Sequence, residues 1–155
     1  MTFEIVVTGK IKTDFIKIGV EQYLKWVSPY ATVKITTLPP GRGSNIEEIK
    51  KEEAKRYIGI IEVEKYAKVL ILDERGKIPT SVQFASKLKT WQNRSVKKVL
   101  FLIGGPYGFS REILEGGWEL FSLSKLTFTH EMAVLLLLEQ LYRAETIIKG
   151  KTYHY

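Results

Sequence analysis

The sequence predicts an α/β fold, a mostly parallel sheet flanked by helices, on three observations. Short β-rich runs alternate with helical stretches of ten or more residues, a spacing that brings successive strands back in the same direction. The 155 residues, 45% apolar and 26% charged, suit one domain spanning 1–155. A chain of this length buries roughly 70% of the surface its unfolded form exposes, enough for a proper core. No uncharged apolar run reaches about 18 residues, so no ordinary transmembrane helix is expected and no membrane partner with it. The first residues, Met-Thr-Phe-Glu-Ile-Val-Val, have neither a basic start nor a small-residue cleavage site. A cytoplasmic location is therefore expected.

Each element has its own warrant. Residues 3–8 alternate, are β-rich and end at Gly9, which marks a strand. Asp14 caps a helix whose apolar face is drawn by Phe15, Ile18, Tyr23, Trp26 and Val27, with Val20 less regular, and Ser28-Pro29 stops it. Residues 32–38 form a second strand, followed by the stiff-then-flexible loop Pro39-Pro40-Gly41-Arg42-Gly43. Ser44 with Glu47 three residues on reads as a capping box for a charged helix to about Val63. Residues 68–72 are a short buried strand, and Pro79-Thr80 opens a helix to about Trp91. Residues 97–103 are another buried strand, Ser110 starts a short helix, and 118–123 form the last strand. Thr129 caps a long helix to Lys149, with Gly150 just past its end.

Composition excludes several chemistries. The absence of cysteine removes disulfides, Cys-ligated zinc, iron–sulfur clusters and thiol nucleophiles. With His130 and His154 the only histidines, no metal site is expected.

The formal charge of +7 is placed unevenly. Between Arg75 and Arg111 lie eight basic residues and no acidic one: Arg75, Lys77, Lys87, Lys89, Arg94, Lys97, Lys98 and Arg111. The other 16 basic residues are balanced by all 17 acidic ones. Phe84, Trp91, Tyr107 and Phe109 interleave with the segment. Such a patch suits phosphate backbones, with aromatics to stack on bases; a solvated helix face over core aromatics is the alternative.

In open sheets of this class ligands lie beyond the carboxyl ends of the strands, which singles out the loops at 73–77, 104–110 and 124–129. Gly104-Gly105-Pro106-Tyr107-Gly108 allows close backbone approach to a ligand. It is neither a P-loop nor the Gly-x-Gly-x-x-Gly fingerprint, and a plain tight turn is equally compatible. Leu123-Ser124-Lys125-Leu126-Thr127-Phe128-Thr129 offers backbone groups and hydroxyls beside apolar side chains, a fitting lining for an adenine or a thioether; a short edge strand is the alternative. On the terminal helix, Leu135 to Leu138 are consecutive and cover every side of a turn. One core-facing stripe cannot bury them all, so a homodimer is expected. Glu139 and Arg143 stand at i,i+4 in the favourable order.

Taken in order, Leu72-Asp73 with Gly76-Lys77, Ile103-Gly104-Gly105-Pro106-Tyr107-Gly108, Leu123-Ser124-Lys125-Leu126-Thr127, Leu138-Glu139-Gln140-Leu141-Tyr142-Arg143-Ala144 and the Tyr153-His154 tail closely resemble the ribosomal large subunit methyltransferase H family (RlmH), small members of the SPOUT superfamily. The resemblance covers essentially the full length, Pro40-Gly41-Arg42-Gly43 included, and is most specific from Ile103 onward. It implies a homodimer with a C-terminal trefoil knot, a topology that general folding rules argue against. It implies S-adenosylmethionine as methyl donor, carried over to Leu72, Gly104, Leu123, Ser124, Lys125, Leu126, Thr127 and Phe128. It also implies N3 of a pseudouridine in 23S ribosomal RNA as the acceptor, on the assembled 70S ribosome, with no DNA partner.

Methyl transfer needs an in-line nucleophile at near-attack distance, and the N3 proton must leave. On this reading Arg143 stabilises the developing anion or grips a phosphate, while Tyr153 and His154 close over the base, across the dimer. Two rivals stand beside it. A non-enzymatic RNA- or ribosome-binding protein predicts steep salt dependence without donor binding. An enzyme acting on a free nucleotide or phosphate predicts turnover without a ribosome.

Overall fold

A computed structural model describes residues 1–153. Its centre is a five-stranded sheet of order β2-β1-β4-β3-β5, built from β1 (Thr2–Thr8), β2 (Thr32–Leu38), β3 (Lys68–Lys77), β4 (Lys98–Ile103) and β5 (Glu119–Phe121). Every pairing is parallel, so all five carboxyl ends open on one edge. The helices are α1 (Asp14–Val27), α2 (Ile46–Glu64), α3 (Ser81–Asn93), α4 (Arg111–Leu114) and α5 (His130–Ile148). The α/β class expected from the alternation is the one observed.

Strand alternation sorts the core into two layers. Phe3, Ile5 and Val7 of β1 join Val99, Phe101 and Ile103 of β4 against α1, α3 and α5. Val6, Leu100, Leu102 and Ile71 face the other way, against Ala54 and Tyr57 of α2 and Ile113 of α4. Helix α5 is covered on both flanks by α1 and α3. That position explains its apolar weight: Leu137 and Leu138 are fully buried, and Leu135 packs against the larger core.

Five local expectations need correction. Asp14 is the first residue of α1; Thr13 is its N-cap and makes no side-chain cap bond of its own. The start of α2 is shifted by one, because Asn45 accepts from the Glu48 amide while the Glu48 carboxylate reaches back to the amide and hydroxyl of Ser44. The α1 face is also different. Ile16, Val20 and Val27 are buried, whereas Phe15 and Ile18 are 67% and 68% exposed and Trp26 lies outward. The helix has two apolar stripes, and the spacing 16–20–27 follows the core.

Strand β3 runs on to Lys77 where a loop was expected after Leu72. Leu72 and Lys77 both oppose Phe121, so the residues between them bulge out and pairing then resumes. Glycine is required at 76, since a Cβ there would stand 2.5 Å from the Leu120 carbonyl carbon and the Phe121 amide nitrogen. Strand β5, Glu119–Phe121, is correspondingly shorter than 118–123: the Ser122 amide makes a last bond to the Lys77 carbonyl at 2.9 Å, and its hydroxyl donates to the Ser124 carbonyl at 2.7 Å. No helix among the described residues is long and apolar enough to cross a membrane.

Candidate active site

The carboxyl ends of β3, β4 and β5 enclose a cleft of about 780 Å³, within the range of small-molecule sites. Three segments build it, the ones the sequence singled out. The first is the bulge of β3, with Leu72, Asp73, Glu74 and Arg75. Arg75 donates to both oxygens of Asp73, at 2.7 and 2.9 Å, and this pairing holds the Asp73 carboxyl below its ordinary range.

The second segment is Gly104 to Phe109. The Gly108 amide donates to the Gly105 carbonyl at 3.0 Å and closes a turn. Phe109 drops into the core beneath, edge-on to Tyr57 at 5.4 Å, and a Cβ on Gly104 would press its ring at 3.3 Å. In the core below, Thr8 and Tyr57 pair through their hydroxyls, and burial pushes the Tyr57 phenol up to about 12. The third segment, Phe121 to Ala133, contributes Ser122, Leu123, Ser124, Leu126, Thr127, Phe128, Thr129 and His130. Ser124 shapes it through its hydroxyl, which accepts from the Leu126 amide at 3.0 Å.

Of the residues singled out for a donor molecule, Leu72, Gly104, Leu123, Ser124, Leu126, Thr127 and Phe128 line this cleft; Lys125 is exposed and not part of the lining. Asp73, Glu74, Tyr107 and His130 line it as well. The sequence held a usable signal for His130, a histidine in the first turn of a capped helix directly after a ligand-type loop. Among the described residues no group of three or more His, Cys, Asp or Glu is placed to hold a metal ion.

Arg143 and Tyr153 lie elsewhere in the chain. Thirteen residues separate Arg143 from His130 on α5, a rise of about 20 Å at 1.5 Å per residue. Arg143 pairs with Glu139, and its guanidinium lies 4.9 Å from the centre of the Tyr153 ring. The Tyr153 hydroxyl also donates to Glu139, at 3.2 Å, and burial leads the causes that push its phenol upward. Tyr142 stands edge-on to Tyr153 at 4.7 Å and joins Tyr23, Trp26 and Tyr30 in an aromatic cluster between α1 and α5. His154 lies outside the described residues.

Of the basic segment only Arg75 lines the cleft, and it is paired with Asp73. Helix α3 starts at the cleft edge and runs back across the sheet with Lys87 and Lys89, and Arg94 and Lys97 follow its end toward the amino end of β4. Lys87 pairs with Glu119, Lys98 with Glu4 and Glu64, and Arg111 with Glu115. Phe84, Trp91 and Phe109 are core residues, which leaves Tyr107 as the one interleaved aromatic open to solvent.

Comparison with known proteins agrees with this architecture. The family described as "Predicted SPOUT methyltransferase" matches residues 1–154. A protein of Kosmotoga olearia named ribosomal RNA large subunit methyltransferase H is 52% identical, over the whole of both chains. Proteins of the same name from Thermotoga neapolitana and Halothermothrix orenii are 42% and 39% identical over at least 99% of both chains. Among solved structures, a methylase family protein of Haemophilus influenzae aligns over 99% of this chain and 70% of its own, with a TM-score of 0.58 at 14% identity, a likeness of fold. A full-length family match and closely similar relatives, joined to a cleft at the carboxyl ends of three parallel strands, establish that the chain belongs to the SPOUT methyltransferase family.

Proposed function

We propose that the protein methylates 23S ribosomal RNA, at N3 of a pseudouridine on the assembled 70S ribosome, using S-adenosylmethionine. The relatives' name supplies the substrate class, and the observation that carries the reading is the cleft. Its three walls coincide with the loops carrying the family motifs. The residues fit such a donor. Leu72, Leu126 and Phe128 offer apolar surface for an adenine or a thioether, with serine and threonine hydroxyls between them. The Asp73 and Glu74 carboxylates on the wall suit a cationic sulfonium. The donor supplies the methyl group; the protein has to hold the acceptor nitrogen in line and accommodate the charge left as its proton departs.

The proposal extends to a homodimer. Phe15, Ile18 and Trp26 form an exposed apolar stripe on α1, beside the aromatic cluster on α5, and large exposed patches of this kind mark interaction sites. A partner docked there offers a route by which Arg143, Tyr153 and His154 serve the other subunit's cleft. The C-terminal knot is part of the same reading. In its support, the chain returns from edge strand β5 to the space between α1 and α3 within the eight residues 122–129. One domain over 1–155, acting on ribosomes in the cytoplasm without a metal, completes the proposal.

The test is transfer of labelled methyl from S-adenosylmethionine to unmodified 70S ribosomes, followed by nucleoside analysis of the 23S RNA. A methylated pseudouridine is expected. Ribosome binding without transfer would instead favour the non-enzymatic binder.

A further inference from the structure

The connection from β1 to α1 is five residues long, and α5 grips most of it. The Gly9 amide donates to the Leu38 carbonyl at 2.8 Å. Gly9 has φ +101°, and a Cβ on it would lie 2.9 Å from His130 Nε2, so the chain passes directly over the imidazole. That Nε2 donates to the Lys10 carbonyl at 3.0 Å, since a carbonyl can only accept. Glu131 then takes the rest. Its carboxylate accepts from the Lys12 amide, from the Thr13 amide at 2.9 Å and from the Thr13 hydroxyl at 2.7 Å.

Ile11 packs against the core, which turns its neighbours Lys10 and Lys12 outward. Both are exposed, and neither forms an ion pair among the described residues. The clamp that fixes their backbone is the first turn of α5, whose His130 is also a wall of the cleft. Two cations on a fixed backbone therefore stand at the rim, beside the site but not inside it.

We propose that Lys10 and Lys12 grip the phosphates flanking the target nucleotide of the RNA, with His130 and Glu131 as positioning residues that hold the grip against the cleft. This rests on the methyltransferase reading. An oxyanion is what the pair recognises, and the donor's carboxylate is the other possible source. RNA phosphate is favoured because neither lysine lines the cleft, whereas a nucleotide entering it must leave its phosphates at the rim. Such a grip fixes orientation and register and adds no sequence preference of its own.

The experiment compares wild type with the double variant Lys10→Gln and Lys12→Gln, and with Lys10→Arg and Lys12→Arg as the charge-keeping control. The readouts are methyl transfer to 70S ribosomes at several salt concentrations, calorimetric titration with S-adenosylmethionine, and ribosome co-sedimentation. Exposed lysine-to-glutamine changes leave folding intact, which circular dichroism checks. The expected result is a ribosome KM raised roughly 10- to 100-fold, with kcat held within a few-fold and donor affinity unchanged. The salt dependence of binding becomes shallower by about 0.7–0.9 per lysine, and arginine restores both. For the positioning role, Glu131→Gln raises KM in the same direction while both lysines are present.

Weakened donor binding with an unchanged ribosome KM would overturn the proposal and assign the lysines to the donor's carboxylate. No change in KM or salt slope would overturn it outright. Absence of methyl transfer by the wild type would sink the underlying reading instead, and co-sedimentation would still decide whether the lysines bind RNA.

Discussion

The carboxylate of Glu131 caps a helix whose N-cap residue lies 118 residues before it: both the amide and the hydroxyl of Thr13 donate to it, at 2.9 and 2.7 Å. Thr13 makes no cap bond of its own, so α1 begins where α5 allows it to. The Thr13 amide first, then its hydroxyl, lowers the Glu131 carboxyl from 4.5 to about 2.

That shift sets a pH dependence. A carboxyl with a depressed folded-state value contributes stability that is complete above its unfolded value and is lost as pH falls through the folded one. The window therefore runs from about pH 4.5 down to about 2. Glu131→Gln removes the titrating group, so its stability falls less steeply than wild type across that window. Urea midpoints measured at closely spaced pH values check this; parallel curves would refute it.

Gly76 makes a second prediction. A Cβ at 76 meets backbone atoms of Leu120 and Phe121 at 2.5 Å, and backbone cannot swing aside as a side chain can. Gly76→Ala should cost about 1–3 kcal/mol, the usual range for forced overpacking. The strain falls on the β3 bulge, whose Asp73 to Arg75 line the cleft, so donor affinity should fall roughly tenfold by the same displacement. Thermal unfolding and calorimetric titration measure the two effects. A variant with full donor affinity would show that the bulge is not part of the site.

These two cases show what the sequence could and could not disclose. Alternation and helix period revealed all ten elements, because each buried strand and capped helix carries its own local signal. Contacts between distant segments left none. The Thr13 cap is supplied by Glu131, so residues 13 and 14 alone misplace it. The β3 bulge depends on β5 alongside, so the run after Leu72 looks like a loop. On α1, both 15–18–26 and 16–20–27 are plausible apolar stripes, and which one faces the sheet is settled only by packing. The cleft was more legible. Its walls lie at the carboxyl ends of three parallel strands, where open parallel sheets bind their ligands. The basic segment misled for the opposite reason, since adjacency in the chain put five of its cations, Lys87, Lys89, Arg94, Lys97 and Lys98, on or after a helix running away from that edge.

The outward stripe on α1 yields a third prediction. Ile18, 68% exposed in one chain, becomes buried if the stripe is a subunit interface. Ile18→Glu would then place an unpaired charge in that interface and produce monomers with an unchanged fold. Sedimentation equilibrium reports the mass and circular dichroism the fold. A wild type that is itself monomeric at micromolar concentration would refute the interface.

The proposed dimer leads to the sharpest test of Arg143. Within one chain its guanidinium is held by Glu139 and Tyr153, about two-thirds of the way along α5, and a rise of about 20 Å from His130 exceeds the reach of any side chain. If Arg143 acts in the reaction, it acts in the partner's cleft. Arg143→Ala should then lower kcat by about 10²–10³, the scale of one lost charge stabiliser. Leu126→Arg, which sets a like charge against a cationic donor, should abolish activity from the cleft side. Each variant alone is inactive in both of its sites. Dissociated and reassociated in equal amounts, they form heterodimers in which one cleft is intact and faces an intact Arg143. Random pairing then restores about a quarter of wild-type activity. Were Arg143 to serve its own cleft, every site in the mixture would carry one defect, and no activity would return.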